Sequence, residues 1–188
     1  MSLGSSLRRY RGNETGIAAL EFALVAPFLI LLVFGGYELA RYIVVQQKAE
    51  KMAYAISDLT SQYQTLTSSD VATVFSATSQ LMKPYAFSND GLAILTSVYK
   101  DPTKSKPTVS WQCKTSSTLS STSTVGAVNG NATLPGGLVL DDKDNVIVSE
   151  IYYKFTPLFT TLWTSSFVIH RMAVYRPRLG SLTAVPGC

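Results

Sequence analysis

Histidine occurs once in this sequence, at position 170, and cysteine only twice, at 113 and 188. A single histidine with no serine or cysteine nucleophile motif to pair with it leaves no recognisable hydrolytic constellation, and a structural role for His170 is the expectation. Cys113 and Cys188 have neither the spacing of a metal knuckle nor that of a redox pair. A glycine-rich phosphate cradle is missing too. Asp141, Asp142 and Asp144 form one acidic cluster, but neither the glycine nor the bidentate glutamate of a calcium loop follows at the required spacing. Asn131-Ala132-Thr133 matches a glycosylation acceptor, a pattern too short to carry weight. From these absences we expect a protein that is not an enzyme and needs no cofactor and no metal.

Charge is scarce as well. Charged residues make up 15% of the chain and hydrophobic residues 46%, a balance that places part of it in lipid. The formal net charge of +4 is unevenly spread: Arg8, Arg9 and Arg11 precede an apolar run, and from Ile17 onward 13 Lys and Arg face 11 Asp and Glu. The excess is a basic leader and not a basic face, so nucleic acid is not an expected partner.

Ile17 to Phe34 reads IAALEFALVAPFLILLVF, with one charge and one proline, and Gly35, Gly36 and Tyr37 extend it. As a helix rising 1.5 Å per residue, this stretch spans about 30 Å, the thickness of a bilayer's hydrocarbon core. The arginines before it hold the N-terminus in the cytoplasm, so the chain after Tyr37 is expected on the outer face. A cleaved secretory signal fits poorly. Its apolar region would be shorter, and the nearest small-x-small site, Ala53-Tyr54-Ala55, lies beyond Glu38, Arg41, Lys48, Glu50 and Lys51.

Glu21 stands inside this run, where an ionised carboxylate persists only with a partner. No Lys or Arg follows until Arg41. Cleavage after Gly16 would create an α-amino group on Ile17, one helical turn from Glu21, and that amine or the amine of a neighbouring subunit would supply the cation. The other reading is that Glu21 snorkels into headgroups at the cytoplasmic interface.

Gly16 followed by Ile17-Ala18-Ala19-Leu20-Glu21-Phe22 resembles a prepilin-peptidase site, a glycine before a hydrophobic helix with glutamate at its fifth position. The longer string to Pro27, with Gly35, Glu38 and Arg41, is similar to the TadE-like minor pseudopilins of the tight-adherence pilus, a type IV-like system. Glu150 to Phe159 and Arg176-Pro177-Arg178 also look like that family's late segments. Phe22 replaces the tyrosine common in the major pilins of these systems, which fits a minor subunit. The resemblance implies processing between Gly16 and Ile17 and a role in pilus assembly or initiation, exercised by helix packing. It implies as partners the prepilin peptidase, the inner-membrane assembly platform, other minor pseudopilins and the major pilin, beside the lipid bilayer itself. The location it implies is a bacterial inner membrane, single pass, with the C-terminal domain periplasmic or carried into an extracellular pilus. The alternative is an uncleaved, membrane-anchored adhesin or binding module.

The expected fold is α+β and pilin-like: a long N-terminal helix, membrane-spanning in its first half, packed on an antiparallel sheet of about four strands. Residues 1–16 form the leader, 17–37 the membrane segment, 38–84 a helical region and 85–188 a β domain. Tyr42, Val45, Ala49, Met52, Ile56, Leu59 and Tyr63 recur every three or four residues, so one helix running from about Ile17 to Tyr63 would present an apolar stripe. That stripe suits either the chain's own sheet or a coiled-coil seam. Pro27 should kink the helix. Ser68-Ser69-Asp70 offers a cap for a second helix ending near Met82. Strands are expected at Leu92–Tyr99, Val109–Cys113, Val146–Phe155 and Phe167–Tyr175. In the third, Ile147, Ile151, Tyr153 and Phe155 share one face and Val148, Glu150, Tyr152 and Lys154 the other, the pattern of a sheet packed on one side. Thr115 to Thr124 is almost wholly Ser and Thr and leads into Gly126, Gly130 and Pro135-Gly136-Gly137, so 115–137 reads as a mobile surface loop that could contact a surface in adhesion. In an oxidising compartment Cys113 and Cys188 are expected to form a disulfide.

Overall fold

The structure is a computed structural model that describes residues 14–159 and 165–188, with side chains from Gly16 onward in the first helix. The leader, with Arg8, Arg9 and Arg11, therefore lies outside the described residues.

Helix α1 runs unbroken from Glu14–Ser61, 48 residues or about 70 Å, with Pro27 inside it. No break falls at Gly35-Gly36, where the chain continues helical. A short connection leads to α2 (Ser68–Ser79) and a 3₁₀ turn (Gln80–Met82). The cap of α2 sits one residue before the expected one: Thr67 accepts from the Asp70 backbone N–H, and the Asp70 carboxylate accepts from the Thr67 N–H in return. Helix α3 (Phe87–Asp90) is a single turn that feeds β1. Its Phe87 ring lies so close to Gly91 that a Cβ there would sit 2.2 Å from the ring, so the turn requires glycine.

The four strands β1 (Gly91–Tyr99), β2 (Thr108–Lys114), β3 (Asn145–Phe155) and β4 (Phe167–Tyr175) form one antiparallel sheet in the order β2-β1-β3-β4. One face is closed by the second half of α1 and by α2. Val45, Ala49, Met52 and Ile56 of the expected stripe are fully buried there, with Val71, Val74 and Phe75 of α2 beside them. The stripe belongs to the sheet, not to a coiled-coil seam. Leu59 departs from it and is exposed, because the helix turns Ser57, Thr60 and Ser61 inward in its last turns. Small residues bring helix and sheet close. Ser149 on β3 donates to the Ala53 carbonyl at 2.6 Å, and Ser57 donates to Ser149 Oγ or to the Ala173 carbonyl. These hydroxyls satisfy one another where a larger side chain would hold the layers apart.

The β1–β2 pair carries a bulge at Ser110: Val98 pairs with Val109 and Ser97 with Trp111. The extra residue switches faces, so Val109 lies on the outer side with Val98 and Val146 while Trp111 and Cys113 join the helical side. The C-terminal tail then seals that side. The Leu182 carbonyl accepts from Trp111 Nε1 and Ser97 Oγ, its N–H donates to Asn145, and Cys188 is disulfide-bonded to Cys113 across 75 residues.

The other face of the sheet is not open. The segment between β2 and β3 folds back over it, burying Val125, Leu134 and Leu140 against Val98, Val109, Val146 and Val148, while Leu119 packs on Leu92, Ile94 and Tyr152. The Ser/Thr-rich stretch is therefore a packed cover and not a free loop. These apolar residues are too widely spaced to register as an element, yet Leu119, Val125, Leu134 and Leu140 each fill a place on the sheet.

Candidate functional site

Along the first half of α1, Ile17, Leu20, Phe22, Leu24, Phe28 and Leu32 all stand largely exposed, and the most apolar 18-residue window, with mean hydropathy 2.6, has 0% of its residues buried by the rest of the chain. None of the described residues covers this surface. Glu21 sits on it as the lone acid, exposed. A Cβ on Gly16, Gly35 or Gly36 would meet nothing within 4 Å among the described residues.

Where the exposed half of α1 meets the domain, Glu38 is 1% exposed. Its carboxylate is paired with Arg41 Nη1 at 2.7 Å, one helical turn on, and accepts the Leu158 backbone N–H at 3.2 Å. The Arg41 guanidinium lies over the Phe155 ring, 5.3 Å from its centre. Tyr42 packs edge-on against Phe155 and Phe167, and Phe159 lies 4.6 Å from Phe34 between ring centres. Glu38 thus ties the end of the β3 segment to the helix, and the aromatic rings fill the space around the tie.

A second buried acid, Glu150, lies on the outer face of β3 and is 0% exposed. The cover supplies its donors: the Thr124 N–H at 2.9 Å, Thr124 Oγ1 at 2.6 Å and the Ser123 hydroxyl, with the Tyr152 hydroxyl at 3.1 Å. His170 stacks flat on Tyr152, ring centres 4.4 Å apart, and brings Nε2 to 3.3 Å from Glu150 Oε1. Burial raises the Glu150 pKa, but His170, Ser123 and Thr124 together outweigh burial and bring it down to about 2. Burial and the adjacent carboxylate push the Tyr152 hydroxyl up to about 12. The arrangement lacks a nucleophile activated by a base: the serine donates to the acid directly, and the histidine does not reach it. Glu150 acts as a clasp that holds the Ser/Thr-rich cover on the sheet.

The acidic cluster is occupied by cations of the chain itself. Asp142 pairs with Lys100 at 2.9 Å and Asp144 with Arg176 at 2.7 Å, and no group of three metal-ligating side chains comes together among the described residues. Arg178 pairs with Asp58 and donates its backbone N–H to the Ser61 carbonyl, docking the C-terminal segment on the end of α1.

The architecture is that of a protein with one N-terminal helix apolar enough to anchor it in a membrane, carrying an antiparallel sheet on its second half. A family model described as TadE-like protein matches residues 16–58. The match covers α1 almost entirely, including Gly16, Glu21, Glu38 and Arg41, and ends before the sheet. No curated protein and no solved structure matched the chain significantly.

Proposed function

We propose that this chain is a minor pseudopilin that acts in the assembly or initiation of a tight-adherence pilus, by helix packing and not by catalysis. The observation that carries the reading is the apolar half of α1, 0% buried by its own fold and holding a single carboxylate. Such a surface is stable only in lipid or against other apolar helices, and an acid within it needs a cation from outside the fold. In this reading a prepilin peptidase cuts between Gly16 and Ile17, and the new amine pairs with Glu21 of the same or a neighbouring subunit. The inner-membrane assembly platform, other minor pseudopilins and the major pilin are the partners. The chain sits in a bacterial inner membrane with its sheet domain on the periplasmic side. Gly16 supports the reading, since none of the described residues packs against it and a peptidase needs close access to backbone.

The test is Glu21→Ala in cells that make the pilus. The sheet domain has its own core, so the variant should accumulate in the membrane at normal levels, while pili fall to few or none for want of the counter-charge in docking. Abundant pili on Glu21→Ala cells would reduce Glu21 to a snorkelling residue and remove the assembly role.

A further inference from the structure

The charge pattern continues past the membrane segment in an unexpected way. Between Glu21 and Lys48 the sequence has only two charges, Glu38 and Arg41, and these neutralise each other. Glu38 is 1% exposed, and the Arg41 side chain, 18% exposed, is capped by the Phe155 ring. Around this neutral pair stands a collar of apolar side chains that the fold leaves uncovered: Tyr37, Leu39, Ile43 and Val44 on α1 and Leu158 at the end of β3, the last 60% exposed. Leu158 is fixed there because its own N–H is held by Glu38. Phe159 continues the collar onto the helix by packing on Phe34 and Tyr37.

From Ile17 to Val44 the exposed face of α1 is therefore apolar, Glu21 apart, over about 40 Å, some 10 Å more than the hydrocarbon core it would span. The surplus matches the depth of an interfacial region, where aromatic and aliphatic side chains are at home and unpaired charges are not. We propose that this collar is a lipid-contact surface, by which the base of the sheet domain is immersed in the headgroup region of the outer leaflet of the same bilayer. The proposal rests on the reading of α1 as a membrane anchor. The Glu38–Arg41 pair is what permits immersion: it ties Leu158 to the helix while presenting no net charge to a medium of low dielectric. Above the collar charge returns within two turns: Lys48, partly buried with its ammonium donating to the Leu81 carbonyl, and then the exposed Glu50 and Lys51, where water begins.

The experiment uses the full chain reconstituted in lipid vesicles, with an environment-sensitive fluorophore on one added cysteine at a time: Ile30→Cys in the span, Leu158→Cys on the collar and Val139→Cys at the far end. All three positions are exposed, so labelling leaves the core intact. Spin labels carried by the lipid headgroup or deep in the acyl chain serve as quenchers. The expected result is deep quenching at position 30, headgroup quenching with blue-shifted emission at 158, and neither at 139, independent of the protein-to-lipid ratio. Quenching at 30 without quenching at 158 overturns the collar and leaves the anchor standing. A blue shift at 158 that appears only at high protein-to-lipid ratio, without lipid quenching, assigns the collar to a neighbouring subunit and also overturns the proposal. Failure to quench at 30 overturns the anchor and the collar together.

Discussion

Three carboxylates on this chain occupy places where a charge is costly, and each is resolved differently. Glu38 finds its cation one turn along its own helix, Glu150 is ringed by donors from a distant segment, and Glu21 finds nothing among the described residues. For Glu150 the sign of the pH dependence is settled by its lowered pKa. Its contribution to stability is fully present above the ordinary carboxylate value of 4.5 and is lost as pH falls toward about 2. The size of that contribution is at most about 3 kcal/mol. Glu150→Gln should lower stability near neutral pH by about 2 kcal/mol and flatten the fall between pH 4.5 and 2, read by denaturant unfolding of the detergent-solubilised chain. At the stalk junction, Glu38→Ala leaves Arg41 without its partner and the Leu158 N–H without its acceptor. Faster proteolytic nicking between β3 and β4 is expected, with the sheet core intact. Equal cleavage rates in the variant and the wild type would show that the tie carries no load.

At the scale of elements, the helices and strands were legible because their periodicity is strong: α1, β3 and β4 fall where the alternation of apolar residues puts them. The faces of β3 were legible for the same reason. The bulge at Ser110 was not, since Val109, Trp111 and Cys113 alternate as if they shared one face, and only the pairing with β1 reveals the extra residue. The packing of the Ser/Thr-rich cover is not legible in the sequence, because composition reports solubility and not contact; the apolar residues that pack, Leu119, Val125, Leu134 and Leu140, are spaced by no regular period. Glu150 was the available signal, a charge inside an apolar strand that had to be met by donors from somewhere, and a run of hydroxyls is a source of donors. Glu38 and Arg41 were visible as residues but not as a tie, because the partner is the backbone of Leu158, 120 positions away. The seam of small residues between α1 and the sheet leads to a further prediction. Ala53→Leu would force the helix off Ser149 and cost about 1–3 kcal/mol, with Ala55→Leu, outside the fully buried seam, as the milder control.

On the scale of the whole molecule, two halves of one helix do unlike work. The second half is consumed by the sheet and by the C-terminal tail, which the disulfide holds to β2, and the first half is left bare. Cys188→Ser should lower stability by up to about 4 kcal/mol, since it opens a closure of 75 residues, and should loosen the tail whose Leu182 carbonyl holds Trp111, a change visible in tryptophan fluorescence. Loss of the disulfide leaves the bare helix untouched, so membrane association should persist in that variant. The central claim is that the bare helix is delivered for assembly by removal of the leader, and the most direct measurement is the intact mass and N-terminal sequence of the protein from cells with and without the prepilin peptidase. The account predicts a chain beginning at Ile17 in peptidase-positive cells, a chain retaining its leader when the enzyme is absent, and retention of the leader in Gly16→Leu in both. A chain that keeps residues 1–16 in peptidase-positive cells would contradict it and leave an uncleaved, anchored binding module in its place.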